Sequence, residues 1–343
     1  MIASLDLPTL DARARGLAAR LLSRAELEEM AGAPNVAALA RELERRGRSR
    51  FGPIAQPPTA ASLESVARHA AARTLRILSV WAGSESALDV FYADLDRRAL
   101  RALLRGALQS APADARLAGL LPTPRLPERA LSALARQPTP AKVVAQLVLL
   151  GHPDADRLLP LAARTQPVLL DLERALVCSY AERSLRAARA GDRNLREVVR
   201  SRIDVCNMQM ALALTGGPRD AEPATLFTDG GAVFPRAAFL EACAATSALG
   251  ASLRMEQLLE GTPLHDVAHT AGADPVRLES AALRQALTGQ RRASRLDPLG
   301  SAPLVCFLLR LQAQSLDLQR LAWGAELGAP AELLRSQLVT PWS

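Results

Sequence analysis

Lysine is almost missing from this chain. Lys142 stands alone among 42 basic residues, and the rest are arginines. A phosphate-binding P-loop needs a glycine-rich turn that ends in Lys followed by Ser or Thr. Lys142 follows Thr139-Pro140-Ala141 and precedes Val143, which excludes that loop. Schiff-base chemistry needs a lysine too, and nothing in the sequence around Lys142 tunes it. Aromatic residues make up only 3% of the chain, so its basic runs, Arg41 to Arg50 and Arg291 to Arg295, have no rings on which bases could stack. Glu42 and Glu44 also interrupt the first run. Neither run rises above a solvated helix face, and the arginine excess itself reads as codon bias. No apolar run reaches the ~18 residues of a membrane-spanning helix. Met1 to Leu10 lacks the basic-then-apolar order of a secretory signal. Cys178, Cys206, Cys243 and Cys306 are scattered without paired spacing, which predicts reduced, buried thiols in a cytoplasmic protein. No Gly-x-Ser-x-Gly elbow or dinucleotide fingerprint occurs.

What the chain has in quantity is leucine and alanine with few β-branched residues, a composition that favours helix over strand. Apolar spacing predicts helices over 63–80, 91–108, 128–136, 139–150, 168–190, 194–214, 235–248 and 303–324. Ser23-Arg24-Ala25-Glu26 has capping-box spacing. Thr262-Pro263 and Asp274-Pro275 read as helix starts, while Gly83-Ser84, Gly151 and Gly216-Gly217-Pro218 read as breaks.

The stretch Ile203 to Met210 puts Asp204 and Asn207 on one face of a helix. Related stretches begin at Asp96 (Asp96 to Arg101) and at Gln314 (Gln314 to Gln319). The spacings, 204 − 96 = 108 and 314 − 204 = 110, imply one helical unit used three times. The expected divisions are 1–111, 112–221 and 222–343. Asp204 and Asn207 are expected to be structural, paired to neighbouring backbone. Arg97, Arg98, Arg101 and Arg105 are expected to form a charged helix face able to steer a partner. His265-Asp266-Val267-Ala268-His269 places two imidazoles one turn apart. A zinc hydrolase would need a third ligand and a Glu base; the chain has Asp266 and marks no third ligand, so no metal and no cofactor is expected.

Taken together, these stretches resemble the C-type subunit family of prokaryotic V/A-type rotary ATPases, whose equivalent in eukaryotic V-ATPases is the d-type subunit. Asp11-Ala12-Arg13-Ala14-Arg15 before Leu21-Leu22 is similar to that family's opening helix. Asp204-x-x-Asn207-Met208 is similar to its Asp-x-x-Asn-Leu signature, and Phe227 to Val233 resembles the Gly-Gly segment that begins its third unit. Gly261-Thr262-Pro263, Asp297-Pro298-Leu299-Gly300 and Gly328-Ala329-Pro330 fall where the family has turns. The chain departs from the pattern at Thr9, Asp11, Ala99 and Gln314. The resemblance implies an all-helical funnel of three similar units around a pseudo-threefold axis. It implies a non-catalytic protein on the cytoplasmic face of the membrane, peripheral, with central shaft subunits and the membrane proteolipid ring as partners. No nucleic acid and no small-molecule substrate of its own is implied. Arg13, Arg15, Asp96, Asp204 and Asn207 are the structural or interface residues that it singles out. The rival readings are an Arg-rich helical adaptor for nucleic acid and a metal-dependent helical hydrolase.

Overall fold

A computed structural model describes residues 6–47, 51–82, 85–215 and 222–341. Among these residues the protein is all-α, with eighteen helices and no strand. The breaks expected at Gly83-Ser84 and Gly216-Gly217-Pro218, and the arginines Arg48 and Arg50, lie outside the described residues.

The chain packs as two compact units, each discontinuous in sequence. The first comprises Met1–Leu88, Ala118–Pro124 and Leu287–Ser343, and the second Asp89–Leu117 and Arg125–Ala286. In chain order the helices are α1 (Leu7–Ala18), α2 (Arg24–Met30), α3 (Val36–Gly47) and α4 (Ala60–Ala82) in the first unit. Next come α5 (Ser86–Leu108), α6 (Ala113–Leu117), α7 (Glu128–Ala135), α8 (Pro140–Leu149), α9 (Ala155–Ala162) and α10 (Leu169–Ala190). They are followed by α11 (Arg193–Leu214), α12 (Pro223–Leu226), α13 (Arg236–Cys243), α14 (Ala248–Leu258), α15 (His265–Ala271) and α16 (Pro275–Leu296). The chain returns to the first unit for α17 (Ala302–Glu326) and α18 (Ala331–Gln337).

The first unit is built around α17, which packs on α1, α2, α3, α4 and α18. Its sequence explains this position: Leu304, Phe307, Leu308, Leu311, Leu318 and Leu321 are buried around the helix. A helix apolar on most sides must be surrounded. Polar groups on α17 find partners on the helices and turns around it. Gln314 Oε1 accepts the Leu22 N–H at 2.6 Å, and Trp323 Nε1 donates to Glu64 Oε2 at 2.7 Å. The capping box expected at Ser23 is present, with Ser23 and Glu26 satisfying each other's backbone N–H groups.

The second unit centres on the hairpin of α10 and α11. Asp192 makes the turn, its carboxylate accepting the Leu195 N–H at 2.8 Å as the N-cap of α11. An apolar layer of Met208, Phe227, Phe234, Phe239, Met255 and Leu264 joins α11 to α13, α14 and α15. Thr262 does not start α15, which begins at His265; the Thr262 hydroxyl instead donates to the Leu259 carbonyl at 2.7 Å and closes the end of α14.

Candidate functional site

Helix α11 carries the charged and amide groups that organise the second unit. Asp204 is fully buried. Its Oδ2 accepts the backbone N–H groups of Ala232 at 2.8 Å and Val233 at 2.9 Å, and its Oδ1 accepts that of Phe234 at 3.2 Å. One turn along, Asn207 Nδ2 donates to the Thr228 carbonyl at 2.9 Å, and Asn207 Oδ1 accepts the Thr228 N–H at 3.0 Å. Together they hold residues 228–234, a strap without regular structure, against the helix. A strap of this kind has no secondary structure to satisfy its backbone, so side chains must do it.

The two glycines in the strap have separate reasons. Gly230 has φ of 106°, in the region that favours glycine. A Cβ on Gly231 would overlap Asp204 Oδ1, so the residue must be small for the carboxylate to reach the strap. Burial pushes the Asp204 carboxyl pKa up, and the three N–H groups only partly offset that.

The arginine face of α5 does not point to open solvent as a free charged surface. Asp94 Oδ1 accepts from Arg97 Nη2 at 2.7 Å and from Arg202 Nε at 3.2 Å, and its Oδ2 accepts from Arg98 Nε at 2.7 Å. Glu279 of α16 takes Arg98 at 2.5 Å and Arg202 at 2.7 Å on one oxygen, and Gln209 donates to the other. Glu173 of α10 takes Arg101 at 3.1 Å and Arg105 at 2.7 Å. Four helices are thereby tied by ion pairs that are largely out of water. Burial alone would raise the carboxyl pKa values. Here Arg202, Arg98 and Arg97 override it: Asp94 is held well below the usual carboxylate range and Glu279 is held at about 2. Tyr180, buried under this network with Arg97 5.7 Å from its ring centre, has its pKa raised by burial and by the neighbouring Asp94 charge.

The other residues singled out in the sequence lie apart from these groups. Arg13 stacks on Trp81 with its guanidinium carbon 4.5 Å from the ring centre, and Arg15 donates to the Pro298 carbonyl at 3.0 Å. Asp96 is fully buried, with its Oδ2 3.5 Å from His152 Nε2. His152 Nδ1 in turn accepts the Asp154 N–H at 3.3 Å. His265 and His269 both reach Glu256, one its carbonyl and one its carboxylate, at 3.1 and 2.8 Å.

Sequence reading missed Asp317. It is fully buried in α17, and it accepts the backbone N–H groups of Val339 at 2.7 Å and Thr340 at 2.9 Å. Its service to a later extended segment is the one Asp204 performs. The available signal was an acid inside the apolar run Leu316-Asp317-Leu318.

Asn207 is the simplest of these groups to test. Asn207→Leu leaves the Thr228 N–H and C=O without their partner and is expected to cost about 1–3 kcal/mol, read as a lower thermal midpoint with helical content unchanged. A variant that melts with the parent yet fails to bind a partner would make Asn207 an interface residue instead.

None of these clusters joins a nucleophile to a base beside an open cavity. They tie helices to one another or hold irregular segments against a helix. The family model of the ATP synthase (C/AC39) subunit matches residues 10–337, and the chain belongs to that family. No curated protein matches it. No helix among the described residues is long and apolar enough to cross a membrane.

Proposed function

We propose that this chain is the non-catalytic central-stalk subunit of a V/A-type rotary ATPase, linking the rotor shaft to the membrane proteolipid ring. Family membership over residues 10–337 is the observation that carries this reading. Its partners are shaft subunits on one side and polar loops of the ring on the other, at the cytoplasmic face of the membrane. A torque-bearing link has to resist deformation. The ion pairs that tie α5, α10, α11 and α16 and the carboxylate-held segments at 232–234 and 339–340 support that requirement.

The three-unit frame with divisions near residues 111 and 221 belongs to the same proposal. Asp204 and Asp317 each hold a later segment by its backbone N–H groups, which favours a recurring helix; the spacings are then 204 − 96 = 108 and 317 − 204 = 113. The division into two compact units rests on packing and does not test a repeat.

The test is reconstitution with shaft subunits and ring-containing membranes from the same source. Membranes without the chain are expected to retain ATP hydrolysis by a soluble head and to lose ATP-driven ion transport; adding the chain restores it. The purified chain is expected to hydrolyse no ATP. Full ATP-driven transport without the chain, or failure to bind both shaft and ring, defeats the proposal.

A further inference from the structure

In the second unit, a cleft of about 520 Å³ opens where α10 ends and α11 begins. Arg189, Arg193, Arg196 and Arg200 line it with Glu197, over Leu185 and Gly230. Glu197, the one carboxylate among the described lining residues, is taken by Arg193 at 2.7 Å. Among the described residues, Arg196 and Arg200 donate only to the carbonyls of Gly191 and Gly231, and Arg189 has no ion-pair partner. Four guanidiniums against one carboxylate leave an excess of three positive charges, 4 − 1 = 3, in one concavity. This contrasts with the arginines of α5, which share Asp94, Glu173 and Glu279. Arg193 and Arg196 do not serve α11 either, since cations in a first turn oppose the positive end of the helix dipole.

From this arrangement we infer that the cleft docks an acidic segment of a protein partner. Arginine forks suit carboxylates held side by side. The floor at Leu185 takes an apolar side chain between them. Among the described residues no aromatic lines the cleft, so these residues offer a nucleic acid nothing on which to stack. A flat lipid surface would not reach the floor of a concavity. Electrostatic complementarity of this kind speeds encounter and fixes orientation. The inference needs only a protein partner and stands apart from the coupler reading, because the isolated chain suffices to test it.

The probe is a synthetic peptide of glutamates interspersed with leucines, titrated into the full chain at low salt, where surface charge is least screened. Saturable binding is expected. Arg189→Glu with Arg193→Glu turns the excess of +3 to −1 and is expected to weaken binding by about tenfold or more, and a matched lysine peptide should bind this variant better than the parent. Arg292→Glu with Arg295→Glu, an exposed pair elsewhere, is the control and is expected to change affinity less than about twofold. Equal weakening by the control pair would reduce the effect to net charge and overturn the proposal. So would phosphatidylglycerol vesicles, a DNA duplex or inorganic phosphate displacing the peptide in dependence on Arg189 and Arg193, each pointing to a different ligand. Circular dichroism of both variants should match the parent, and a variant that binds the lysine peptide is folded by that criterion.

Discussion

Replacing Arg202 with methionine is expected to remove about 3 kcal/mol of stability at neutral pH, the low end of what breaking a buried ion pair costs. Arg202 lies between Asp94 and Glu279, at 3.2 and 2.7 Å, with its side chain 13% exposed. Both carboxylates are themselves largely covered, and after the substitution they keep Arg97 and Arg98 as cationic partners and the Gln209 amide on Glu279. The uncompensated charge, more than the lost attraction, sets the magnitude. The pH dependence follows from the depressed carboxyl pKa values. Glu279 is held at about 2 against an ordinary 4.5, so its ionised form stabilises the fold. That stability is fully present above about 4.5 and is lost as pH falls through about 2. The gap between parent and Arg202→Met, measured by urea unfolding at stepped pH, should be widest at neutral pH and close as pH falls into that window. Adding Glu279→Gln to Arg202→Met should recover part of the loss, because it removes the stranded charge. A pH-independent gap, or a loss under about 1 kcal/mol, would mean that the network is solvated and does not fasten the helices.

Much of the helical frame was legible in the sequence because long amphipathic helices announce themselves by period. The helices expected over 168–190 and 194–214 are α10 (Leu169–Ala190) and α11 (Arg193–Leu214). Short helices were not legible: α6, α9 and α12 have four to eight residues, too few to repeat an apolar pattern. Thr262-Pro263 has the chemistry of a helix start, yet the Thr262 hydroxyl is used one turn back by Leu259. The arginines of α5 show where periodicity stops. Their common face was visible, but Asp94, three and four residues before Arg97 and Arg98, was not read as their partner although the spacing allows it. Glu279 is not local: it comes from a helix beginning at Pro275, and no spacing rule reaches it. The buried acids divide in the same way. Asp204 and Asp317 are met chiefly by backbone N–H dipoles, joined at Asp317 by the Thr340 hydroxyl and only weakly assisted by Arg200 and Arg320, so burial wins and their pKa values rise. Asp94 and Glu279 meet full guanidinium charges, so attraction wins and theirs fall.

Asp204→Ala is expected to cost about 3 kcal/mol, since it strands three backbone N–H groups whose individual penalties are about 1–3 kcal/mol and which water can only partly relieve. Phe234, whose N–H is the third donor, is 1% exposed, which limits that relief. Amide exchange at Ala232, Val233 and Phe234 should accelerate far more than exchange in the body of α11. Gly231→Ala should have the same effect by another route, because the new methyl group takes the space of Asp204 Oδ1 and drives the carboxylate off the strap. The two substitutions therefore act on one contact and should not add. In the Asp204→Ala background there is no carboxylate to strike, so Gly231→Ala should cost less than it does alone. The pH sense is opposite to that of Glu279. Burial raises the Asp204 pKa above 3.8, so its ionised form is penalised, and its contribution to stability declines as pH rises from 3.8 through the raised folded value. Asp204→Asn removes that slope. It keeps one acceptor oxygen for the donors of Ala232 and Val233, but turns an amide N–H₂ toward the Phe234 N–H, so it should fall between parent and Asp204→Ala in stability. If Gly231→Ala costs the same in both backgrounds, or if amides 232–234 keep their protection in Asp204→Ala, the strap is held by its own packing and the carboxylate is incidental.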